Sequence, residues 1–182
     1  MSEPRLNRIV VGPDAHGRSA VLIDDVTNVQ EKEGFFWRST LWSAAGIPVD
    51  NSIEGDLGMA TSNREPFPGG LLVRALEIPP DVDDAEEHKR VLAQLNTEIN
   101  QKIVATEADL KRHPSMHATN TLDAITCVRG EIYLVTDVEE VLMKPGDTVI
   151  IRGTNHAWSN RSSAPCLLVG TMIDAVPQPR AH

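Results

Sequence analysis

The chain has 182 residues, 41% hydrophobic and 24% charged, which is the balance of an ordinary globular protein and a length that suits one domain with a substantial core. Its formal net charge is −9 and no cluster of Lys and Arg stands against it, so neither a phosphate backbone nor an anionic membrane surface has an evident docking face. No apolar run approaches the roughly 18–20 residues that cross a bilayer, and the polar stretch Met1 to Arg8 lacks the apolar segment of a secretory signal, so a cytoplasmic protein is expected.

The N-terminal zone, residues 5–80, reads as short strands broken by Gly, Pro and Asp. Arg8 to Val11, the turn Gly12 to Gly17, and Ser19 to Ile23 predict a hairpin. Phe35 to Trp42 is rich in aromatic and β-branched residues, and Gly70 to Ile78 is a further strand stopped by Pro79-Pro80. Arg74 and Glu77 lie on opposite faces of that strand, so at most one of them can face a pocket. Asn51 to Gly69 carries turn formers with little periodicity and is read as loop.

Residues 81–113 differ. Asp83 and Glu86 have the spacing of a capping box, and an acidic start suits the positive end of a helix dipole. Val91, Leu95, Ile99 and Ile103 recur every fourth residue with Leu92 beside them, which predicts an amphipathic helix of about five turns. Such a helix packs over a sheet or against a second copy of the chain, or else closes a pocket as a lid.

From Met116 to Ala175 strands and turns alternate at short intervals: Asp123 to Val128, Glu131 to Thr136, Val141 to Lys144 and Thr148 to Ile151, with Arg129-Gly130 and Pro145-Gly146-Asp147 between them. This spacing predicts an all-β sandwich or barrel, and the lack of βαβ alternation argues against a parallel sheet. The two cysteines, Cys127 and Cys166, form no CxxC pair and are expected to be reduced.

The chemistry-bearing residues fall in this last zone. Side chains two apart in a strand share a face, so His117, Thr119, Thr121 and Asp123 project together, with Ile125 and Cys127 continuing the row. A row that is polar and then apolar suits a strand entering a barrel, lining a pocket at one end and packing at the other. His156, Trp158 and Asn160 form a second set. If the two strands are neighbours, His117 and His156 converge with Asp123 nearby.

The stretch His117 to Asn160 resembles the paired motifs of the cupin superfamily. His117 matches the first His of the first motif, Asp123 stands at its Glu position, and Gly130 follows after six residues. The second motif opens as Pro145-Gly146-Asp147 does and closes with a His and an Asn, which His156 and Asn160 match. The wording is similar to a subgroup of small microbial cupins. Thr119 stands in place of the family's second His, and Asp123 is one methylene shorter than Glu. The resemblance implies a cupin double-stranded β-helix, a jelly-roll barrel, with an N-terminal strand extension and the helix of residues 81–113 inserted, all within residues 1–182 as one domain.

The resemblance further implies a metal site reduced to His117, His156 and Asp123, a set that suits Fe2+, Zn2+ or Mn2+ with water completing the shell. Asp123 either ligates the ion or orients His117. Thr119, Thr121, Cys127 and Trp158 are expected to line a small-substrate pocket. On this reading the protein is a cupin-type oxygenase, lyase or isomerase, an oxidoreductase or decarboxylase among them, acting on an oxygenated organic substrate, with His117, Asp123 and His156 as its catalytic residues. The alternatives are a metal-free cupin using His and Asp acid–base chemistry, and a module that only binds a small ligand. A homodimer is expected, because cupins commonly pair through their sheets.

Overall fold

Alternating burial along the strands builds the molecule. A computed structural model describes residues 6–25, 29–32, 36–59, 63–81, 90, 92, 97 and 99–179. The predicted hairpin forms from β1 (Arg8–Pro13) and β2 (Ser19–Asp25), a two-stranded antiparallel sheet. Arg8 anchors it, donating to the two carboxylate oxygens of Asp56 at 2.6 and 2.7 Å and to Asp25 at 2.9 Å.

The main sheet contains β3 (Val29–Lys32), β4 (Phe36–Ala44), β5 (Leu71–Ile78), β6 (Thr121–Arg129), β9 (Thr148–Arg152) and β11 (Cys166–Asp174). Its order is β3-β4-β5-β11-β6-β9. The facing sheet contains β7 (Ile132–Val135), β8 (Glu140–Met143) and β10 (Ala157–Ser159), in the order β10-β7-β8. Pairings within both are antiparallel, and the fold is the all-β architecture that the strand spacing predicts.

Register decides what the inner face presents. Arg38, Leu76, Leu168 and Cys127 are successive partners across β4, β5, β11 and β6. The next row is Thr40, Arg74, Gly170 and Ile125, and the one after is Leu72, Met172, Asp123 and Ile151. At one end this face closes against the smaller sheet in a core of Cys127, Leu134, Ile151, Trp158, Cys166 and Leu168. Each large aliphatic side chain so buried contributes about 1.5–3 kcal/mol. At the other end the sheets stay apart and enclose a cavity.

Two glycines hold the turns between these strands. Gly130, at φ 77°, turns β6 into β7 where an added Cβ would lie 2.7 Å from the Pro165 carbonyl oxygen. Gly146, at φ 96°, lets the Pro145-Gly-Asp147 turn fold back, and its N–H donates to the Cys127 carbonyl at 2.9 Å.

The helix expected over residues 81–113 is not continuous. Asp83, Glu86, Val91 and Leu95 lie outside the described residues. Arg90, Leu92 and Thr97 are helical, but the chain turns at Ile99 and Asn100, and Asn100 takes φ 55°, a left-handed conformation that Asn tolerates better than most residues. Residues 101–106 are irregular, and a separate helix α1 (Glu107–Arg112) follows. Thr106 caps it: its hydroxyl accepts from the Asp109 N–H, and the Asp109 side chain accepts from the Thr106 N–H. This second capping box starts a new helix, so Ile99 and Ile103 do not continue one stripe. No helix among the described residues is long and apolar enough to cross a membrane.

Candidate functional site

His117 and His156 meet through their backbones. Each N–H donates to the other's carbonyl at 2.9 Å, an isolated antiparallel bridge just outside β6 and β10. The rings lie 4.3 Å apart between centroids, inclined at 54°. Beside each ring nitrogen Nδ1 stands the carbonyl oxygen two residues back: Ser115 at 2.8 Å for His117, and Thr154 at 2.9 Å for His156. A carbonyl can only accept, so both Nδ1 atoms carry the hydrogen. Both Nε2 atoms therefore keep their lone pairs.

Burial keeps those lone pairs free of protons. It holds His117 well below the ordinary 6.5, with the charges of Arg64 and His156 adding to the effect. It lowers His156 to about 4; the hydrogen bond to Thr154 opposes this and Arg64 reinforces it. Trp158 sets its edge against His156, with centroids 5.9 Å apart at 77°. His113 contributes indirectly, since its Nδ1 lies 2.8 Å from the Ser115 hydroxyl and so braces the residue whose carbonyl orients His117.

The imidazoles open onto a cavity of about 210 Å³. Thr119, Asp123, Ile125 and Trp158 also line it, with Leu76, Leu168 and Met172 on the apolar side. Thr121 and Cys127, expected as lining, do not reach it. Thr121 is fully buried and shares a 2.7 Å hydrogen bond with Thr119; Cys127 lies deeper, in the core, with its sulfur 3.8 Å from that of Cys166. Asn160 is likewise structural, donating to the carbonyls of Ile78 and Ala164 at 2.9 Å.

Asp123 is 2% exposed, and its Oδ1 has no hydrogen-bond partner. Burial raises its pKa to about 6; the Thr121 hydroxyl and the Arg74 charge oppose the rise, while Glu65 adds to it. It does not complete a ligand triad with the imidazoles: among the described residues no three His, Cys, Asp or Glu side chains form a group that could hold a metal ion. The chain bends at Asn120 and β6 begins only at Thr121, while His117, Thr119 and Asp123 all line the same cavity. The charges that act on Asp123 are those of Glu65 and Arg74.

Sequence reasoning did not single out Arg38 and Arg64, and left Arg74 as one of two residues of its strand of which at most one could face a pocket; all three arginines line the cavity. Arg38 and Arg74 are buried on adjacent inner rows of β4 and β5, and Arg64 comes from the loop before β5. Burial lowers Arg38 and Arg64 to about 10, still charged at neutral pH, and the Arg38 charge bears on both Arg64 and Arg74. Glu77 faces the other side of β5 and pairs with Arg129 at 2.6 Å.

With this geometry in hand, similarity to known proteins becomes informative. The model of the Cupin domain family matches residues 104–173. The phomopsin biosynthesis cluster protein C' of Diaporthe leptostromiformis is 48% identical over 164 residues, covering 86% of this chain and 71% of that protein. The oryzines biosynthesis cluster protein J of Aspergillus oryzae is 46% identical over 134 residues, 70% of this chain and 56% of its own length. Among solved structures, the cupin domain of Schizosaccharomyces pombe Cnp3 aligns with 92% of this chain and 87% of its own at 10% identity, with a TM-score of 0.45.

Proposed function

The chain belongs to the cupin superfamily, and on that premise we propose that it is a small-molecule enzyme of a biosynthetic route, holding an oxygenated organic substrate and a divalent ion at the His117–His156 pair. The observation that carries this reading is the shared tautomer: two adjacent neutral rings, each with Nδ1–H bound to a carbonyl, leave two Nε2 lone pairs side by side. Histidines that ligate metals are oriented through their other nitrogen in this way. The names of the curated relatives, both biosynthesis cluster proteins, support a role in small-molecule chemistry.

His117 and His156 would hold the ion, of the kind Fe2+, Zn2+ or Mn2+, and water or substrate oxygens would complete its shell. Bound there, such an ion supplies polarisation of a carbonyl or enol oxygen, or a redox centre. The chain's own residues do the rest. The Ser115 and Thr154 carbonyls fix the rings, the apolar wall excludes water, and Asp123 sits near its own pKa, able to hold or release a proton. Oxygenase, lyase and isomerase chemistry all use these parts.

A second reading is favoured by the absence, among the described residues, of a third protein ligand beside the imidazoles. In it Asp123 and the imidazoles carry out acid–base chemistry with no metal. Metal analysis of protein purified without added ions, repeated on His117→Ala and His156→Ala, separates the two. Stoichiometric metal lost in both variants is the expected result. A metal-free parent that keeps turnover after chelation overturns the ion site in favour of the second reading.

A further inference from the structure

Two buried side chains on the cavity wall each carry a polar atom without a partner. Asp123 is 2% exposed, and its Oδ1 accepts no hydrogen bond among the described residues. Arg74 is 8% exposed; its Nη1 and Nη2 donate to the Arg64 and Asn63 carbonyls at 2.9 and 2.7 Å, but its Nε donates to nothing among them. Both residues line the cavity. Polar atoms taken out of water and left unpaired cost free energy, and folded proteins leave few. Here one is an acceptor and the other a donor.

The strands set these two side chains on one stretch of wall. Arg74 is paired with Gly170 across β5 and β11, and Asp123 with Met172 across β6 and β11. They therefore start two strand spacings apart, roughly 10 Å, and one inward row apart. Gly170, between them on β11, puts no side chain into the cavity. The Thr121 hydroxyl hydrogen-bonds the Asp123 carboxylate and shares a 2.7 Å bond with the Thr119 hydroxyl. A carboxylate accepts, so Thr121 spends its hydrogen on Asp123 and Thr119 donates to Thr121. That chain holds the carboxylate in place and leaves Oδ1 over.

We propose that the ligand of this cavity is an alcohol, one hydroxyl donating to Asp123 Oδ1 and a ligand oxygen accepting from Arg74 Nε, with its hydrocarbon part against Leu76, Leu168 and Met172. This rests on the reading of the cavity as a small-molecule site and names the class of molecule it takes. Other polar groups leave one of the two atoms unpaired. A carbonyl or ether oxygen only accepts, so it serves Arg74 and not Asp123. An ammonium only donates, so it serves Asp123 and not Arg74. A carboxylate only accepts, and it brings a second negative charge towards Asp123. A hydroxyl offers one donor and two acceptor lone pairs without a charge, and it enters a partly apolar cavity at a lower desolvation cost than an ion. Water makes the same bonds but covers none of the apolar wall.

NMR titration of the full chain at pH 8 with cyclohexanol, trans-1,2-cyclohexanediol, cyclohexanone and cyclohexylamine tests this. At least one alcohol is expected to shift the amide resonances of the cavity wall, with the ketone and the amine each at least about tenfold weaker than the tighter alcohol. Asp123→Ala, with its thermal midpoint checked against the parent, is expected to bring alcohol and ketone within about twofold of each other. A looser barrel alone weakens both and does not change their ratio. The proposal is overturned if neither alcohol binds, if the ketone or the amine binds as tightly, or if folded Asp123→Ala keeps the preference. It is also overturned if chelation abolishes the preference in the parent, which would put the hydroxyl on an ion instead of on Asp123. The alcohol-against-ketone comparison needs no variant. Metal content of the same samples keeps the two readings apart: alcohol preference without metal sinks the ion site alone, and metal without alcohol preference sinks this inference alone.

Discussion

Replacing Asp123 by Asn tests how hard the barrel works against this carboxylate. The side chain is 2% exposed between Met172 and Ile151 of the neighbouring strands, and one of its oxygens lacks a hydrogen-bond partner. Burial lifts its pKa from the ordinary 3.8 to about 6; the Thr121 hydrogen bond and Arg74 oppose the rise, and Glu65 adds to it. Between those two values the native carboxyl holds a proton that the unfolded chain has released. The native state binds more protons, so stability falls as pH rises through this window, and above pH 6 the whole penalty is present. A shift of about two units at 1.36 kcal/mol each makes that penalty about 3 kcal/mol. The amide is neutral throughout and escapes it.

Urea unfolding of parent and Asp123→Asn at pH 4, 5, 6, 7 and 8 reads the difference. The variant's stability relative to the parent should climb by about 2.5 kcal/mol from pH 4 to pH 8, part of the penalty being already present at pH 4, with unchanged m-values. A constant offset from the amide's own packing does not matter, since the slope is the readout. Glu65 and Arg74, the charges that face Asp123, are present in both proteins, and titrations elsewhere cancel in the comparison. Parallel profiles refute the reasoning. So does a parent that gains on the variant with rising pH, which would mean that Arg74 stabilises an ionised Asp123 more than burial penalises it.

Two further expectations concern the scaffold. Gly130→Ala should lose more than about 1 kcal/mol in denaturant unfolding, because φ is 77° and the new Cβ meets the Pro165 carbonyl at 2.7 Å; parent-like stability would show that this turn is not constrained. Cys127 and Cys166 should resist thiol reagents in the native protein, since burial raises both and pushes Cys166 up to about 12. Labelling with Ellman's reagent at pH 8 should then track the unfolding rate, and rapid stoichiometric labelling of the folded protein would contradict the packing.

The imidazole pair was legible because two local rules agree on it. The turn residues Gly130 and Pro145-Gly146-Asp147 fix where β6 to β9 begin and end, and the period of two places His117 and His156 on inward-facing registers. Those rules stop where the strand stops. At Asn120 the chain bends; Asp123 lines the same cavity as His117 and His156 but forms no three-ligand group with them, and the charges acting on it are those of Glu65 and Arg74. Thr121 and Cys127 do face inward, but which inward residue meets the cavity and which meets the core depends on how far apart the sheets stand at that level, a property of both sheets that one strand does not encode. The helix break is a different kind of miss: Thr106 and Asp109 carried a capping signal as plain as that of Asp83 and Glu86, and the apolar spacing of Ile99 and Ile103 masked it.

Local reading went no further than setting Arg74 and Glu77 on opposite faces of one strand, and it gave no sign of Arg38 or Arg64. Absence of a Lys and Arg cluster along the chain, together with a net charge of −9, argues against a contiguous basic surface. It says nothing about cations that the fold assembles. Arg38 and Arg74 come together only because β4 pairs with β5 in the register Thr40 to Arg74, and Arg64 joins them because Arg74 grips the backbone of its loop. In a strand pattern Arg38 and Arg74 look like polar residues on a half-buried sheet, whose natural place is the outer face. What turns them inward is that the outer face of these strands is itself occupied, with Trp37, Ala75 and Leu167 buried there. A sheet with apolar residues on one face and arginines on its cavity face puts charged side chains inside the fold, a placement that neither composition nor net charge encodes.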